Sequence, residues 1–327
     1  MGEKINMNCK ESVKEYCRNL GLNLIGFTKC RIFHELIPEL TERKNENRQN
    51  EFEGKDINKR VDPFQYMKEG KTIISIAFPY LFNLGHKHDV YFSKYTQGRD
   101  YHTVVNEYLQ KISNFIQSKG YRAEYFVDSN DLPERYIAYL CGIGFIGKNN
   151  MLITEKYGSY VFLGEIITDM EIDEDEPMEC KCQECNICLR ACPTNSLEHR
   201  DPNICLSYIT QKKNIEDDWF NKLKGRMFGC DTCQRVCPYN RNINTSNIEG
   251  FKTFDFMENL DLEELIYVNN KEFKEKYKLT SCGWRGKSIL QRNALINCIT
   301  MNKDVDIQGK NIKSPYVLDY YHRLLKK

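Results

Sequence analysis

The chain has 327 residues, 41% hydrophobic and 28% charged, which is enough for two or three domains around a sizeable core. Lys and Arg number 47 against 46 Asp and Glu, a net charge of +1, so a polyanion could be held only by a local patch. Met1 to Leu20 is charged throughout and unlike a signal peptide, and Asn6 stands where myristoylation requires Ser or Thr. Thr72 to Phe82, the longest apolar run, is too short to cross a bilayer, so the expectation is a cytoplasmic monomer without a membrane partner.

Periodicity predicts an amphipathic helix over Asn8 to Leu20, stopped at Gly21, and then a strand over Leu22 to Phe27. Thr41 to Arg60 is charged and poor in large apolar residues, which predicts an exposed excursion. Lys71 to Pro79 reads as a buried strand from its β-branched run. From His102 to Lys119, Val105, Leu109, Ile112, Phe115 and Ile116 recur at helical spacing, and Gly120 ends the helix. Tyr121 to Val127 reads as a strand with Asp128 at its carboxyl end, Glu134 to Cys141 as a helix, and Met151 to Thr154 and Tyr160 to Thr168 as strands. The fold class expected is α+β or α/β: a mixed α/β domain over 1–172, a ferredoxin-like segment over 178–245, and a helical region over 246–327. The acidic run Glu171 to Glu179 reads as a linker, and Ile289 to Ile299 as the clearest amphipathic helix of the tail.

Eight of the 15 cysteines carry the strongest chemical signal. Cys182, Cys185, Cys188 and Cys192 precede Pro193 in the spacing C-x2-C-x2-C-x3-C-P, which in two-cluster ferredoxins sends the fourth cysteine to the other cluster. Cys230, Cys233 and Cys237 precede Pro238 and are one ligand short, which Cys205 supplies. The assignment is Cys182, Cys185, Cys188 and Cys237 on one 4Fe-4S cluster, and Cys192, Cys205, Cys230 and Cys233 on the other. Two zinc sites are the alternative, but zinc needs neither the third cysteine of each run nor the prolines. Cys9, Cys17, Cys30, Cys141, Cys180, Cys282 and Cys298 fall outside the set and read mostly as buried thiols.

Gly142, Gly144 and Gly147 match G-x-G-x-x-G, and with Lys148 nearly a Walker A loop, but both need a strand before the glycines and a helix after them. Here the order is helix and then strand, which favours a tight turn or close approach to a bulky ligand. Asp100-Tyr101-His102 begins the D-x-H-x-x-G signature of cobalt-ligating histidines, but Val105 replaces its glycine. Asp128 alone could be a turn residue or a ligand-facing acid.

The strings KRVDP at 59–63, GRDYH at 98–102, FVDS at 126–129, ER at 134–135, GIGFIGKNNMLI at 142–153, GSYVFLGEIITD at 158–169, CLSYIT at 205–210, GCDTCQRVCPYN at 229–240 and RGKSILQRNALI at 285–296 together resemble epoxyqueuosine reductase. That resemblance implies cobalamin, two 4Fe-4S clusters fed by a low-potential flavodoxin- or ferredoxin-type donor, and a tRNA substrate carrying epoxyqueuosine at the wobble position. It implies Asp128 as the proton donor, its pKa raised beneath the macrocycle, and Arg60, Tyr101, His102, Asp128, Lys148, Leu152, Leu163 and Ser207 against cobalamin. A reductive dehalogenase-like enzyme and a plain electron-transfer protein are the competing readings. The chain departs from the family at Asn130, Asp131, Pro133 and Phe145. Lys212, Lys213, Lys222, Lys224, Arg226, Arg235 and Arg241 could form a basic patch near the clusters.

Overall fold

The computed structural model describes residues 2–85, 88–128 and 130–326. Its centre is a four-stranded sheet in the order β1 (Leu24–Lys29), β2 (Thr72–Pro79), β7 (Val161–Thr168) and β4 (Ala123–Phe126), with every pairing antiparallel. Two short pairs complete the strands: β3 (Tyr91–Phe92) with β8 (Arg226–Phe228), and β5 (Phe145–Ile146) with β6 (Leu152–Ile153). All eight residues of β2 are buried because helices cover both faces of the sheet.

On one face, Ile74, Ile76, Phe78 and Ile166 pack with Val105, Leu109 and Ile112 of α4 (Tyr101–Ser118) and Val13 and Cys17 of α1 (Gly2–Asn19). Gly164 lets α4 approach, since a Cβ there would lie 2.8 Å from Leu109 Cδ1. On the other face, Ile73, Ala77, Leu163 and Ile167 pack with Ile137 and Ala138 of α5 (Glu134–Leu140), with Leu40 of α2 (Ile37–Asn45), and with Val61 of α3 (Ile57–Val61). The alternation of β2 and β7 therefore sorts their residues into two cores.

Three expectations change. Thr41 to Arg60 is not a free excursion: Asn203 donates to the Asn47 carbonyl at 2.9 Å, Arg48 to the Arg200 carbonyl at 3.3 Å, and Arg285 pairs with Glu51 at 3.2 Å. It is docked on the cysteine segment and the tail, which a count of apolar residues does not reveal. Within the presumed linker, Asp175 pairs with the open edge of β1: its N–H meets the Phe27 carbonyl at 2.8 Å and its carboxylate takes the Phe27 N–H at 3.0 Å. The helix Lys287–Thr300 is not amphipathic, because Ile289 through Cys298 are all buried, with Gln291, Arg292, Asn293 and Asn297 among them.

Those polar residues bind backbone. Arg292 donates to the carbonyls of Thr210, Lys212 and Lys213 at 3.1, 2.6 and 3.0 Å. Asn293 reaches Thr210 and Met227 at 2.7 Å each, and Asn297 takes the Gly225 N–H at 2.7 Å and donates to the Arg226 carbonyl at 3.0 Å. The surrounding core runs from Val90 and Phe92 through Leu206, Phe220 and Phe228 to Leu324, so cysteine segment and tail share it. Among the described residues, no helix is long and apolar enough to cross a membrane.

Candidate active site and cluster ligands

The polar pocket grows from two element ends. Asp128 lies two residues past β4 with φ +50°, and Tyr101 and His102 form the first turn of α4. Asp100 caps that helix, accepting the His102 N–H at 3.1 Å, and its carboxylate also meets His102 Nδ1 at 2.8 Å. His102 Nε2 is 3.2 Å from Asp128 Oδ2, and the Tyr101 hydroxyl donates to the same oxygen. The Asp128 side chain remains 55% exposed, so a ligand can reach it.

The left-handed turn is held from below. Glu134 Oε1 accepts the Asp128 N–H at 2.6 Å and the Asn130 side-chain amide at 3.4 Å. Asn130 and Asp131 close the turn: Asn130 N–H meets the Asp128 carbonyl at 2.7 Å, Asn130 Oδ1 takes the Leu132 N–H at 2.7 Å, and Asp131 N–H reaches the Tyr66 hydroxyl at 2.9 Å. Ser129 lies outside the described residues.

Burial would push the Asp128 carboxyl up, but hydrogen bonds from His102 and Tyr101 and the His102 charge outweigh it and hold it low. The expected upward shift is therefore absent in the protein alone. Burial also opposes a charge on His102, yet its hydrogen bonds to Asp100 and Asp128 push it up to about 9. The raised carboxyls lie behind: burial and the Asp128 charge take Glu134 up to about 7. Glu165 of β7, fully buried with only Ser75 at 3.2 Å on one oxygen and no partner on the other, is driven well above the carboxylate range by burial and then by Glu134.

The other residues expected at the cofactor spread around this pocket. Leu152 and Leu163 lie in the core on the α5 face of the sheet. Ser207, in α7 (Leu206–Ile209), hydrogen-bonds Tyr95, whose hydroxyl also takes the Gln211 amide at 3.3 Å. Lys148 turns toward the cysteines: its N–H meets Cys182 Sγ at 3.4 Å, and its Nζ reaches the Gln183 carbonyl at 2.7 Å and Asn186 Oδ1 at 2.9 Å. Arg60 is paired with Glu53 at 3.3 Å and makes no direct contact with Asp128. The glycine motif follows α5 and opens the β5–β6 hairpin, with Gly142 at φ +67°, an order unlike either nucleotide loop. Asn149 at its tip is 4% exposed, and its Nδ2 has no acceptor in the protein. The carbonyl of an amide-bearing ligand such as cobalamin would satisfy it.

The cysteine thiols act on one another's charge. After burial, Cys188 is pushed up by Cys237 and Cys185, and Cys182 by Cys180 and Cys188. Cys205 is pushed up to about 11 by burial, Cys230 and also Cys192, and Cys233 rises through burial, Cys230 and Cys205. Cys182 and Cys237 pack in one small core with Phe145 and Ile153, and these charges link members of each expected set, with Cys188 also acting on Cys233. Among the described residues, no three His, Cys, Asp or Glu converge tightly enough for a single metal ion. Cys17, Cys30, Cys141, Cys282 and Cys298 are buried, whereas Cys180 is exposed.

Arg226 is a further change. It is 6% exposed and cannot belong to a surface patch: its guanidinium donates to Cys230 Sγ at 3.3 Å, the Thr232 hydroxyl at 2.7 Å and the Leu223 carbonyl at 3.0 Å. Sequence reasoning also missed Glu134, Asp100 and Tyr95. The first two sat in the quoted strings ER and GRDYH, where a role for either was legible only from the company it keeps.

A family profile described as "Epoxyqueuosine reductase QueG, DUF1730" matches residues 60–129, and another described as "4Fe-4S double cluster binding domain" matches 181–240. Epoxyqueuosine reductase of Listeria monocytogenes is 38% identical over 301 residues, spanning 88% of this chain and 79% of the relative, and that of Bacillus anthracis is 35% identical over the same shares. The solved epoxyqueuosine reductase of Streptococcus thermophilus superposes with a TM-score of 0.88 at 32% identity, covering 97% of this chain and 90% of its own. An epoxyqueuosine reductase crystallised with a tRNA-Tyr epoxyqueuosine-modified stem loop superposes with a TM-score of 0.87 at 31% identity, covering 98% and 94%. Neither the dehalogenase-like reading nor the plain electron carrier is favoured by these likenesses; the chain belongs to the epoxyqueuosine reductase family.

Proposed function

We propose that this protein removes the epoxide oxygen of epoxyqueuosine at the wobble position of a tRNA anticodon, giving queuosine. Both carbon–oxygen bonds break, a carbon–carbon double bond forms, and the oxygen leaves as water, which consumes two electrons and two protons. The observation that carries this reading is the acid unit, with Tyr101 and His102 on one oxygen of an exposed Asp128, in a chain that superposes on an enzyme solved with a modified stem loop.

Two 4Fe-4S clusters relay the electrons, held by Cys182, Cys185, Cys188 and Cys237 and by Cys192, Cys205, Cys230 and Cys233. Cobalamin, when bound, supplies the strongly reducing nucleophile that no side chain can provide. Arg60, Tyr101, His102, Lys148, Leu152, Leu163 and Ser207 would hold it, with Asp128 beside it. The division of labour is catalysis over 1–172, electron relay over 178–245 and helical support over 246–327.

The chain's own residues handle the proton. At neutral pH, His102 is charged and shares the proton on Nε2 with Asp128 Oδ2. A base entering the cleft displaces water from the carboxyl and favours its protonated form. One of the two protons then passes from Asp128 to the epoxide oxygen and the second comes from solvent, while Asp100 keeps the imidazole in line. The unit titrates as a pair rather than as two independent acids. The donor is a low-potential flavodoxin or ferredoxin, and the protein works as a cytoplasmic monomer.

Anaerobic protein loaded with cobalamin and given a low-potential reductant should convert an epoxyqueuosine-containing stem loop to queuosine, read by mass of the released nucleoside. No conversion by protein with full iron and sulfide content would refute the substrate.

A further inference from the structure

Five large hydrophobic side chains are exposed among the described residues; two of them, Phe52 and Trp284, touch, and a third, Leu279, lies five residues before Trp284. Phe52 comes from the docked excursion, and the other two from the segment before the buried helix Lys287–Thr300. The Phe52 and Trp284 rings meet edge to face at 5.1 Å, and Tyr208 supports Phe52 from beneath at 5.2 Å. The Arg285 guanidinium lies 5.1 Å from the Phe52 ring and 4.8 Å from that of Trp284.

The rings are fixed in place. Trp284 Nε1 donates to Gln211 Oε1 at 3.2 Å, and Arg285 to the Gln211 carbonyl at 2.8 Å and to Glu51 at 3.2 Å. Three separate chain segments thus hold open an apolar surface that folding alone would cover. The platform continues into the pocket. Gln211 also bonds the Tyr95 hydroxyl at 3.3 Å, Ser281 bonds the Tyr95 carbonyl at 3.3 Å, and the Leu279 carbonyl takes the N–H of Asp100, the cap of the helix bearing Tyr101 and His102, at 2.8 Å. In sequence, Lys212 and Lys213 follow Gln211 directly, and Lys278 and Lys287 flank the aromatic segment.

We propose that Phe52, Trp284 and Arg285 form a stacking platform for the unpaired bases beside the modified base. The proposal rests on the reading of the chain as a tRNA-modifying reductase. Drawing one base out of an anticodon loop into the Asp128 cleft unstacks its neighbours. A fixed aromatic face with a guanidinium across its edge recovers that stacking for any base.

The chain has two tryptophans, so Trp219→Phe leaves Trp284 as the sole indole. In that protein, with clusters and cobalamin loaded, an unmodified anticodon stem loop should quench the Trp284 emission on binding. Trp284→Ala and Phe52→Ala should raise KM for the modified stem loop about tenfold to a hundredfold, with kcat within about twofold. Trp284→Phe, which keeps a ring, should restore KM to within about threefold. Absence of quenching, or an unchanged KM in both alanine variants, would overturn the platform. So would a raised KM for reduced flavodoxin in place of RNA, which would make the surface a protein docking site. If an alanine variant loses iron, the quenching of the intact platform decides. Because quenching uses unmodified RNA, it reads the platform even if wild-type protein fails to turn over epoxyqueuosine.

Discussion

Across β1, β2, β7 and β4 the backbone pairs with itself in unbroken antiparallel register. Between residues 205 and 240 short turns predominate, and side chains from elsewhere meet the backbone. Arg292, Asn293 and Asn297 reach in from the tail, while Asn240 takes the Ser159 N–H at 2.8 Å and donates to the Gln234 carbonyl at 2.7 Å. The difference decides where titrating groups can be placed. In the sheet half, where the strands satisfy one another, three carboxyls, Glu165, Glu134 and Asp128, lie within reach of one another's charge. In the cluster half, the buried polar side chains hold the loops that carry the cysteines.

The comparison predicts that polar substitutions near the sheet change rates while those in the cluster half change stability or potential. The largest effect expected is in Asp128→Asn, which removes the proposed proton donor and should lower kcat by about 10²–10⁴-fold with iron content and melting temperature unchanged. Full turnover in that variant would break the first half of the contrast. Next in size is Arg292→Met, which leaves the carbonyls of Thr210, Lys212 and Lys213 without this donor and should cost about 3–5 kcal/mol in denaturant unfolding. A loss below about 1 kcal/mol would mean that water can replace the guanidinium.

The sheet half was the more legible in sequence, for the same reason. Strand Lys71 to Pro79 and helix His102 to Lys119 were visible because self-paired backbone leaves only an apolar rhythm to read, and the structure places them at Thr72–Pro79 and Tyr101–Ser118. Strand direction was not visible, since alternating elements do not say which way each strand runs. The cysteine spacings were plain because short loops around a ligand fix intervals. The tail helix misled because Arg292, Asn293 and Asn297 look like a solvent face until the irregular backbone they bind is in view. Arg226 misled likewise: a charge count cannot tell a solvated guanidinium from one aimed at a thiolate.

Smaller effects belong to the groups behind Asp128. Glu134 is raised to about 7 and His102 to about 9, so kcat/KM should rise as Glu134 ionises and fall as His102 loses its proton. Glu134→Gln keeps the oxygen that accepts the Asp128 N–H but cannot titrate. It should lose the limb near 7, keep the limb near 9, and stay at the low level that wild type shows below pH 7, so that it falls short of wild type at pH 8. The stability signs agree in direction. Both pKa values are raised by folding, so each contribution is complete below the ordinary value and fades as pH climbs, through about 7 for Glu134 and about 9 for His102. A limb near 7 surviving in Glu134→Gln would assign it to another group.

Arg226 tests the other side of the contrast at its finest. Reduction adds negative charge to a cluster, and a buried guanidinium 3.3 Å from Cys230 Sγ stabilises that charge. The other set receives a neutral backbone N–H instead, from Lys148 to Cys182 at 3.4 Å. The cluster served by Cys230 should therefore lie at the higher potential of the two, and electrons should rest there longer. Arg226→Gln should lower that potential by roughly 60 mV, the one-electron equivalent of about 1.4 kcal/mol, and leave the other nearly unmoved. Protein-film voltammetry that found both clusters shifted together would show one delocalised field in place of two local ones. If neither moved, Arg226 would join Arg292 as a residue that serves only the backbone.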